Sequence, residues 1–400
     1  MRVLYLDDIP TPYRLGIHRS FTLSGEVRYK VLFCAAEEPG RQWEPDYAGI
    51  EYTILKGWQY RPPGQVNPFS FKLNLGVLKE LNRFQPDVVI LSGYIHPTVW
   101  LVAAWCRRRD IPYGVTSESN AVTGSSNALT GWLKKRLVRP LVSGAAFGLP
   151  VSLAAGEYLR RQSGNGQLVL FPFPNTPDIS YIMNSTEAAK NAIRAKDDLT
   201  ANGVPGTGKH ILFAGRLIKA KRPLDLLRAY QLLPKQQRKN VHLVFAGDGP
   251  LRREILSARQ EGDSVYLLGW IQDTEAMIRL MAAADLFVLP SGHEPWGAVV
   301  NEAMAVGTPV LASDRVGAAQ DMIEHGRNGF LFPCGDIAEL SRALGKVLSV
   351  LQSAEMETIT AAAQQTAELF GHEYAKDNLR QAVRYATEKT RKQPPCVYGV

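Results

Sequence analysis

At 400 residues the chain is longer than one hydrophobic core usually supports, and its 45% hydrophobic and 21% charged composition argues against disorder. Its four cysteines, Cys34, Cys106, Cys334 and Cys396, lie far apart with no CxxC pair, which fits a reducing, cytoplasmic setting and neither a disulfide framework nor a zinc site. The net charge of +8 lies mostly in the first 180 residues without any recognition motif, so nucleic acid is not an expected partner.

The N-terminal MRVLYLDDIP reads as a first strand closed by two aspartates and lacks the longer apolar region of a secretion signal. YKVLFCA, DVVILSG (Asp87–Gly93) and IPYGVTSES (Ile111–Ser119) are further strand candidates, with helices from about Tyr13, Pro97 and Leu129. The longest apolar stretch, near Val99–Trp105, is too short to span a bilayer. GWLKKRLVRP (Gly131–Pro140) mixes bulky apolar residues with cations at near-helical spacing. It reads either as a solvated helix face or as a helix lying on anionic lipid, a peripheral membrane contact.

Residues 1–183 are expected to form a first domain, and 184–209, rich in Ala, Asn, Gly and charge, a linker. From 210 to 372 short apolar runs alternate with helical patterns. ILFAG (Ile211–Gly215) precedes a helix near Pro223–Leu233, VHLVFAG (Val241–Gly247) an amphipathic run from Leu251, and VYLLGW (Val265–Trp270) a helix capped by Asp273. DLFVLP (Asp285–Pro290), PVLAS (Pro309–Ser313) and GFLF (Gly329–Phe332) follow, the last before a helix capped by Asp336. Near-continuous apolar strands between helices predict a parallel sheet covered on both faces. The fold class is therefore α/β with two doubly wound, Rossmann-like domains facing across a cleft, and ligands are expected at the carboxyl ends of the strands. Residues 373–400 read as a last helix, packing back on the first domain, and a tail.

Two glycine-rich segments are decoys. GVPGTGKH (Gly203–His210) has the glycine and lysine spacing of a phosphate-cradling loop, but it precedes a strand and ends in His210 where Ser or Thr would hold magnesium. It reads as a flexible linker. GDGPLR lacks the third glycine of a dinucleotide fingerprint and reads as a tight strand-to-helix turn. With no Asp-x-Asp and no His/Cys cluster, neither a metal nor a cofactor is expected.

GRLIKAKRP, after ILFAG, sets Arg216, Lys219, Lys221 and Arg222 in one strand-to-helix loop, a place that favours anions. Arginine grips phosphate oxygens in a fork and lysine adds a point charge, so the loop suits a diphosphate, or is a solvated basic loop. SGHEPWGAVVNEAMA (Ser291–Ala305) occupies the corresponding place further along, with Glu294 in a glycine-rich loop and Glu302 in an apolar helix. Taken singly, Glu294 could favour the helix dipole and Glu302 form a salt bridge. Neither reading explains both acids together with the basic loop.

The ordered pieces AGRLIKAK, FAGDGPLR, LLGW, ADLFVLPS, EPWGAVVNEAMAVGTPVLAS and NGFLF resemble the nucleotide-binding domain of retaining glycosyltransferases of the GT-B fold, family 4. Glu294 and Glu302 resemble that family's E-x7-E pattern, and FPNTPD (Phe173–Asp178) its Pro-Asn-x-x-Asp element. The resemblance implies a nucleotide-diphosphate sugar as co-substrate and a glycan, lipid-linked or small-molecule acceptor, with no metal. It implies catalytic roles for Arg216, Lys221 and Glu294: the two cations hold the diphosphate and Glu294 bonds a sugar hydroxyl. Glu302 would hold the ribose, Gly269, Trp270 and Ile271 would lie near the base, and Gly215, His293, Pro295, Trp296, Gly297 and Ala298 would complete the donor site. Arg222 stands where the family usually has glycine.

IPTPYRLGIHRSF (Ile9–Phe21) resembles the start of one branch of the family, and Tyr13, Arg14, Tyr94, His96, Glu118 and Asn120 follow strand ends on the acceptor side. His96 either substitutes for the family's histidine after the fourth strand or packs at a helix start. The resemblance implies retention by same-face attack, the leaving phosphate taking the acceptor's proton, with Glu294 not a nucleophile. The competing readings are an epimerase or phosphorylase on a similar fold and a non-catalytic sugar-nucleotide-binding protein.

Overall fold

A computed structural model of the chain describes residues 1–38, 44–60, 70–119, 136, 138–164, 166–186 and 199–392. The chain divides into two compact units, one of residues 1–175 with 372–400 and one of residues 176–371.

The first unit holds β1 (Arg2–Asp7), β2 (Arg28–Phe33), β3 (Tyr52–Ile54), β6 (Val88–Ser92), β7 (Tyr113–Ser117) and β8 (Phe147–Pro150) in a parallel sheet of order β3-β2-β1-β6-β7-β8. Two further strands, β4 (Trp58–Tyr60) and β5 (Phe71–Leu73), pair antiparallel as a separate ribbon. The sheet has a core on each face because side chains alternate along a strand. Leu4 and Leu6 pack with Val89, Leu91, Val102 and Leu159 on one side. Val3 and Tyr5 pack with Val31, Ile90, Leu15 and Phe21 on the other. The helix His372–Lys392 joins the second core through Ala375, Leu379, Ala382 and Val383.

The second unit repeats the plan with β9 (Lys209–Ala214), β10 (Val241–Ala246), β11 (Val265–Gly269), β12 (Leu286–Leu289), β13 (Val310–Ser313) and β14 (Phe330–Phe332), all parallel, in the order β11-β10-β9-β12-β13-β14. Asp273 and Asp336 cap the helices Thr274–Ala283 and Ile337–Val350, accepting from the N–H groups of Glu275 and Glu339. In both units the strand order reverses its direction of growth beside the sheet's first strand along the chain, between β1 and β6 and between β9 and β12. Ligands of doubly wound sheets bind at that switch point.

Three boundaries differ from expectation. The first unit ends at Asn175 rather than at 183, because the helix Ile179–Thr186 packs on the helices Thr274–Ala283 and Ala298–Ala305 of the second. The expected linker 184–209 lies only in part within the described residues, and its end belongs to the second unit: Leu199 and Val204 are each 1% exposed. The segment read as a flexible linker, Gly203–His210, runs into β9 and is pinned there, since the rings of His210 and His242 bond the carbonyls of Pro205 (2.7 Å) and Thr207 (2.8 Å). The helix expected from Leu129 and most of Gly131–Pro140 lie outside the described residues. Among the described residues no helix is long and apolar enough to cross a membrane.

Candidate active site

At the carboxyl end of β9 the chain passes through Gly215, Arg216 and Leu217 to a single turn, Lys219–Lys221, and the helix Pro223–Leu232. Leu217 locks this loop to its neighbour after β10. Its N–H donates to the Asp248 carbonyl (2.9 Å) and its carbonyl accepts from Leu251 (3.0 Å). The two loops approach so closely that a β-carbon on Gly247 would lie 2.0 Å from the Gly215 oxygen, a contact only glycine avoids. Arg222 adopts the left-handed conformation (φ 53°) that favours glycine, and its Nε donates to Asp225 (2.5 Å).

β12 delivers the glutamate loop to the same switch point. The Gly292 N–H donates to the Ala220 carbonyl (2.8 Å), which makes the basic loop and the glutamate loop one hydrogen-bonded frame. On the other side the carbonyls of Glu294 and Trp296 accept from Gly317 (3.0 Å) and Ala318 (2.8 Å). Inside this frame the Glu294 carboxylate meets the Lys221 ammonium, their side chains 13% and 18% exposed. Burial, with the Arg216 charge second, pushes Lys221 down to about 7. The carboxylate in contact works the opposite way, favouring the charged amine. His293 is held below its usual value by burial and then by Lys221.

Glu294 does not cap the helix Ala298–Ala305. The N-cap is Gly297, at φ 98° and without a side-chain cap bond. Glu302 is half-buried on that helix among the buried Val300, Ala303, Met304 and Ala305. Arg216 is exposed, Pro295 half-buried and Ala298 buried. Trp296 is different: its indole is 2% exposed and packed inward, so only its backbone is offered to the loop's outer side. Gly269 (φ 78°), Trp270 (47% exposed) and Ile271 follow the end of β11, two strands from β9.

The switch point of the first unit has its own charged cluster. Asp8, just past β1, accepts from His96 Nε2 (3.0 Å) and meets the Lys72 ammonium, which the ribbon strand β5 inserts with its side chain 1% exposed. Burial works to raise the Asp8 carboxyl, but the bonds from His96 and Lys72 outweigh it and hold the group below its ordinary value. Sequence reasoning found His96 and missed Asp8 and Lys72. The signal was present in FKL, where a lysine sits between two apolar residues of a period-2 run.

The other residues expected on the acceptor side differ in exposure. Arg14 is buried, its guanidinium 4.2 Å over the Phe173 ring and donating to the Phe173 carbonyl (3.4 Å). Glu118 is exposed and accepts from Asn175 Nδ2 (2.8 Å), and Tyr13 is half-buried. Tyr94 is 3% exposed, and its ring packs in the core beside Tyr158. Asn120 lies outside the described residues.

Two doubly wound parallel sheets, the second with a cationic loop and a glutamate loop joined at its switch point, define a Rossmann-like α/β protein. Comparison with known proteins makes this specific. Residues 195–365 match the family described as Glycosyl transferases group 1, and residues 26–174 the Glycosyl transferase 4-like domain. A phosphatidyl-myo-inositol mannosyltransferase of Mycobacterium leprae is 34% identical over 82% of this chain and 85% of its own length. The sulfoquinovosyl transferase SQD2 of Arabidopsis thaliana is 27% identical over 80% of this chain, which spans 60% of that protein's length. Among solved structures, the Anabaena protein Alr3699/HepE in complex with UDP superposes with a TM-score of 0.72 at 21% identity, over 96% of this chain and 100% of that one. The chain belongs to the family 4 glycosyltransferases and has the GT-B fold.

Proposed function

We propose that this glycosyltransferase takes its sugar from a nucleoside diphosphate donor and passes it, with retention and without a metal, to an acceptor hydroxyl. The observation that supports this reading best is the contact of Lys221 with Glu294 at the switch point between β9 and β12. It sets a cation for a leaving diphosphate directly beside a carboxylate for a sugar hydroxyl. As the sugar–phosphate bond breaks, negative charge grows on the diphosphate. Arg216, Lys221 and the N–H groups opening the helix Ala298–Ala305 meet that charge in place, which is preorganised stabilisation of a leaving group. Glu302 takes the ribose hydroxyls. Glu294, engaged with a cation, serves as a binding carboxylate rather than as a nucleophile.

The Mycobacterium leprae relative is named for a phosphatidyl-myo-inositol acceptor. An acceptor in a glycoconjugate, glycan or lipid-linked intermediate, met by a cytoplasmic enzyme touching the membrane peripherally, is the corresponding reading for this chain. A thermal-shift screen of UDP-, GDP- and ADP-sugars tests the donor, which stabilises the chain by mass action. The R216A variant is expected to lose transfer by about 100-fold or more, the loss typical of removing one such donor. Transfer by R216A at the wild-type rate, or no nucleotide sugar that stabilises the wild type, overturns the reading.

A further inference from the structure

Asn301 is fully buried in the helix Ala298–Ala305, whose other buried side chains, Ala298, Val300, Ala303, Met304 and Ala305, are all apolar. A carboxamide in such a place is costly unless both its ends are bonded. Both are. Its Oδ1 accepts from the Trp296 indole N–H (3.0 Å), and its Nδ2 donates to the Phe370 carbonyl (3.4 Å). The indole also lies against the Phe370 ring, centroids 6.2 Å apart. Trp296 is two residues from Glu294, and Asn301 directly precedes Glu302. Phe370 closes the last stretch of this unit, which ends at Gly371.

We infer that Asn301 is a positioning residue for the donor sugar: it holds the Trp296 indole, and through it the Glu294 loop, in one place relative to the helix that carries Glu302. The mechanical logic is local. From Ser291 to Gly297 the loop contains two glycines and must hold its carboxylate steady. Its backbone is tied at Ser291, Gly292, Glu294 and Trp296, and the Trp296 indole anchors its far end from below, inside the core. Without the carboxamide the indole N–H is left unpaired in a dry site and the ring is free to rotate. The nucleoside diphosphate itself is held elsewhere, by Arg216, Lys221 and Glu302. Loss of Asn301 should therefore weaken the part of donor recognition that belongs to the sugar and spare the rest.

This inference rests on the proposed donor class, and its test separates the two. The probes are the nucleotide sugar that stabilises the wild type most, drawn from UDP-glucose, GDP-mannose and ADP-glucose, and the matching nucleoside diphosphate. Their dissociation constants are measured for wild type, N301A, W296F and the double variant W296F/N301L, in which both polar partners are replaced by apolar ones. The expected result is that N301A binds the nucleotide sugar about tenfold more weakly and the nucleoside diphosphate within about twofold of wild type. W296F should behave alike, and the double variant should recover thermal stability without recovering the sugar-dependent affinity. Equal weakening of both ligands, or a double variant that regains sugar affinity together with stability, assigns Asn301 a structural role only and overturns the inference. A wild type that binds none of the nucleotide sugars sinks the proposed donor class and this inference with it.

Discussion

Lys221 gives the site a pH dependence whose sign its surroundings fix. Burial, then the Arg216 charge, pushes the ammonium down to about 7, while the Glu294 carboxylate in contact favours the charged form. At about 7 the charged fraction of Lys221 is about 0.9 at pH 6 and about 0.1 at pH 8. If only the charged amine holds the diphosphate, the dissociation constant of a nucleotide sugar rises about tenfold across that interval. A sugar diphosphate diester does not itself titrate in this range, so the change belongs to the protein. Isothermal titration in two buffers of different ionisation enthalpy reads it directly: the wild type takes up close to one proton on binding at pH 8 and close to none at pH 6. Replacing Glu294 by Gln removes the charge that favours the ammonium and displaces the curve to lower pH, and K221R, whose guanidinium stays charged, is flat. An H293Q control keeps the profile, since the lysine and not the neighbouring histidine carries it. The same shift makes the folded chain gain stability as pH rises from about 7 toward 10.5, where the unfolded chain binds the extra proton. A wild-type profile flat from pH 6 to 8, with no proton uptake at either end, would refute the argument.

Gly297→Ala forces a side chain onto φ 98° and sets a β-carbon 3.0 Å from both Glu294 Cγ and Val316 Cγ1. It is expected to cost about 1–3 kcal/mol in a urea melt and, on the proposed function, to weaken donor binding, because the atom it strikes belongs to Glu294. In the first unit, D8A leaves the Lys72 ammonium buried without its carboxylate and should cost about 3–5 kcal/mol, with much of that restored in D8A/K72M. Asp8 titrates below its ordinary value of 3.8 in the folded chain. Its stabilisation is therefore complete above 3.8 and is lost as pH falls through the lower folded value. An acid-unfolding curve for D8N should lack that component.

The second sheet was readable because its strands are near-continuous apolar runs, five of the six closed by Gly or Pro, and Asp273 and Asp336 stand where caps are needed. The basic and glutamate loops were readable for the same reason: strand ends are visible in sequence, and sites gather there. What escaped is what depends on contacts between distant segments. The β4–β5 ribbon has strands of only three residues, so the alternation in FKL is brief, and Lys72 reaches Asp8 across 64 positions. Tyr94 follows a strand end just as His96 does, and nothing in the spacing says that one ring turns into the core and the other toward Asp8. Trp296 reads as a site residue from its motif, whereas its side chain serves the packing beneath it. The domain boundary was misplaced because a helix of mixed composition, Ile179–Thr186, gives no hint of which unit will cover its apolar face.

The two switch points place the same chemistry in different mechanical settings. In the first unit the cation is a lysine with 1% of its side chain exposed, carried by the ribbon, so breaking its pair with Asp8 strands a charge in the core. In the second unit the cation and carboxylate are 18% and 13% exposed, and both sit in loops at strand ends. A pair of the first kind holds a fold together, whereas a pair of the second kind can exchange partners when a better anion arrives. Glu294 keeps Lys221 charged and in place while the site is empty. On the proposed function, a diphosphate that took over the ammonium would free the carboxylate to accept from a sugar hydroxyl. Glu294→Ala would then weaken sugar binding at every pH and touch diphosphate binding only where Lys221 loses its charge, toward and above about pH 7, whereas removal of a carboxylate that served the sugar alone would leave nucleoside diphosphate affinity unchanged at every pH.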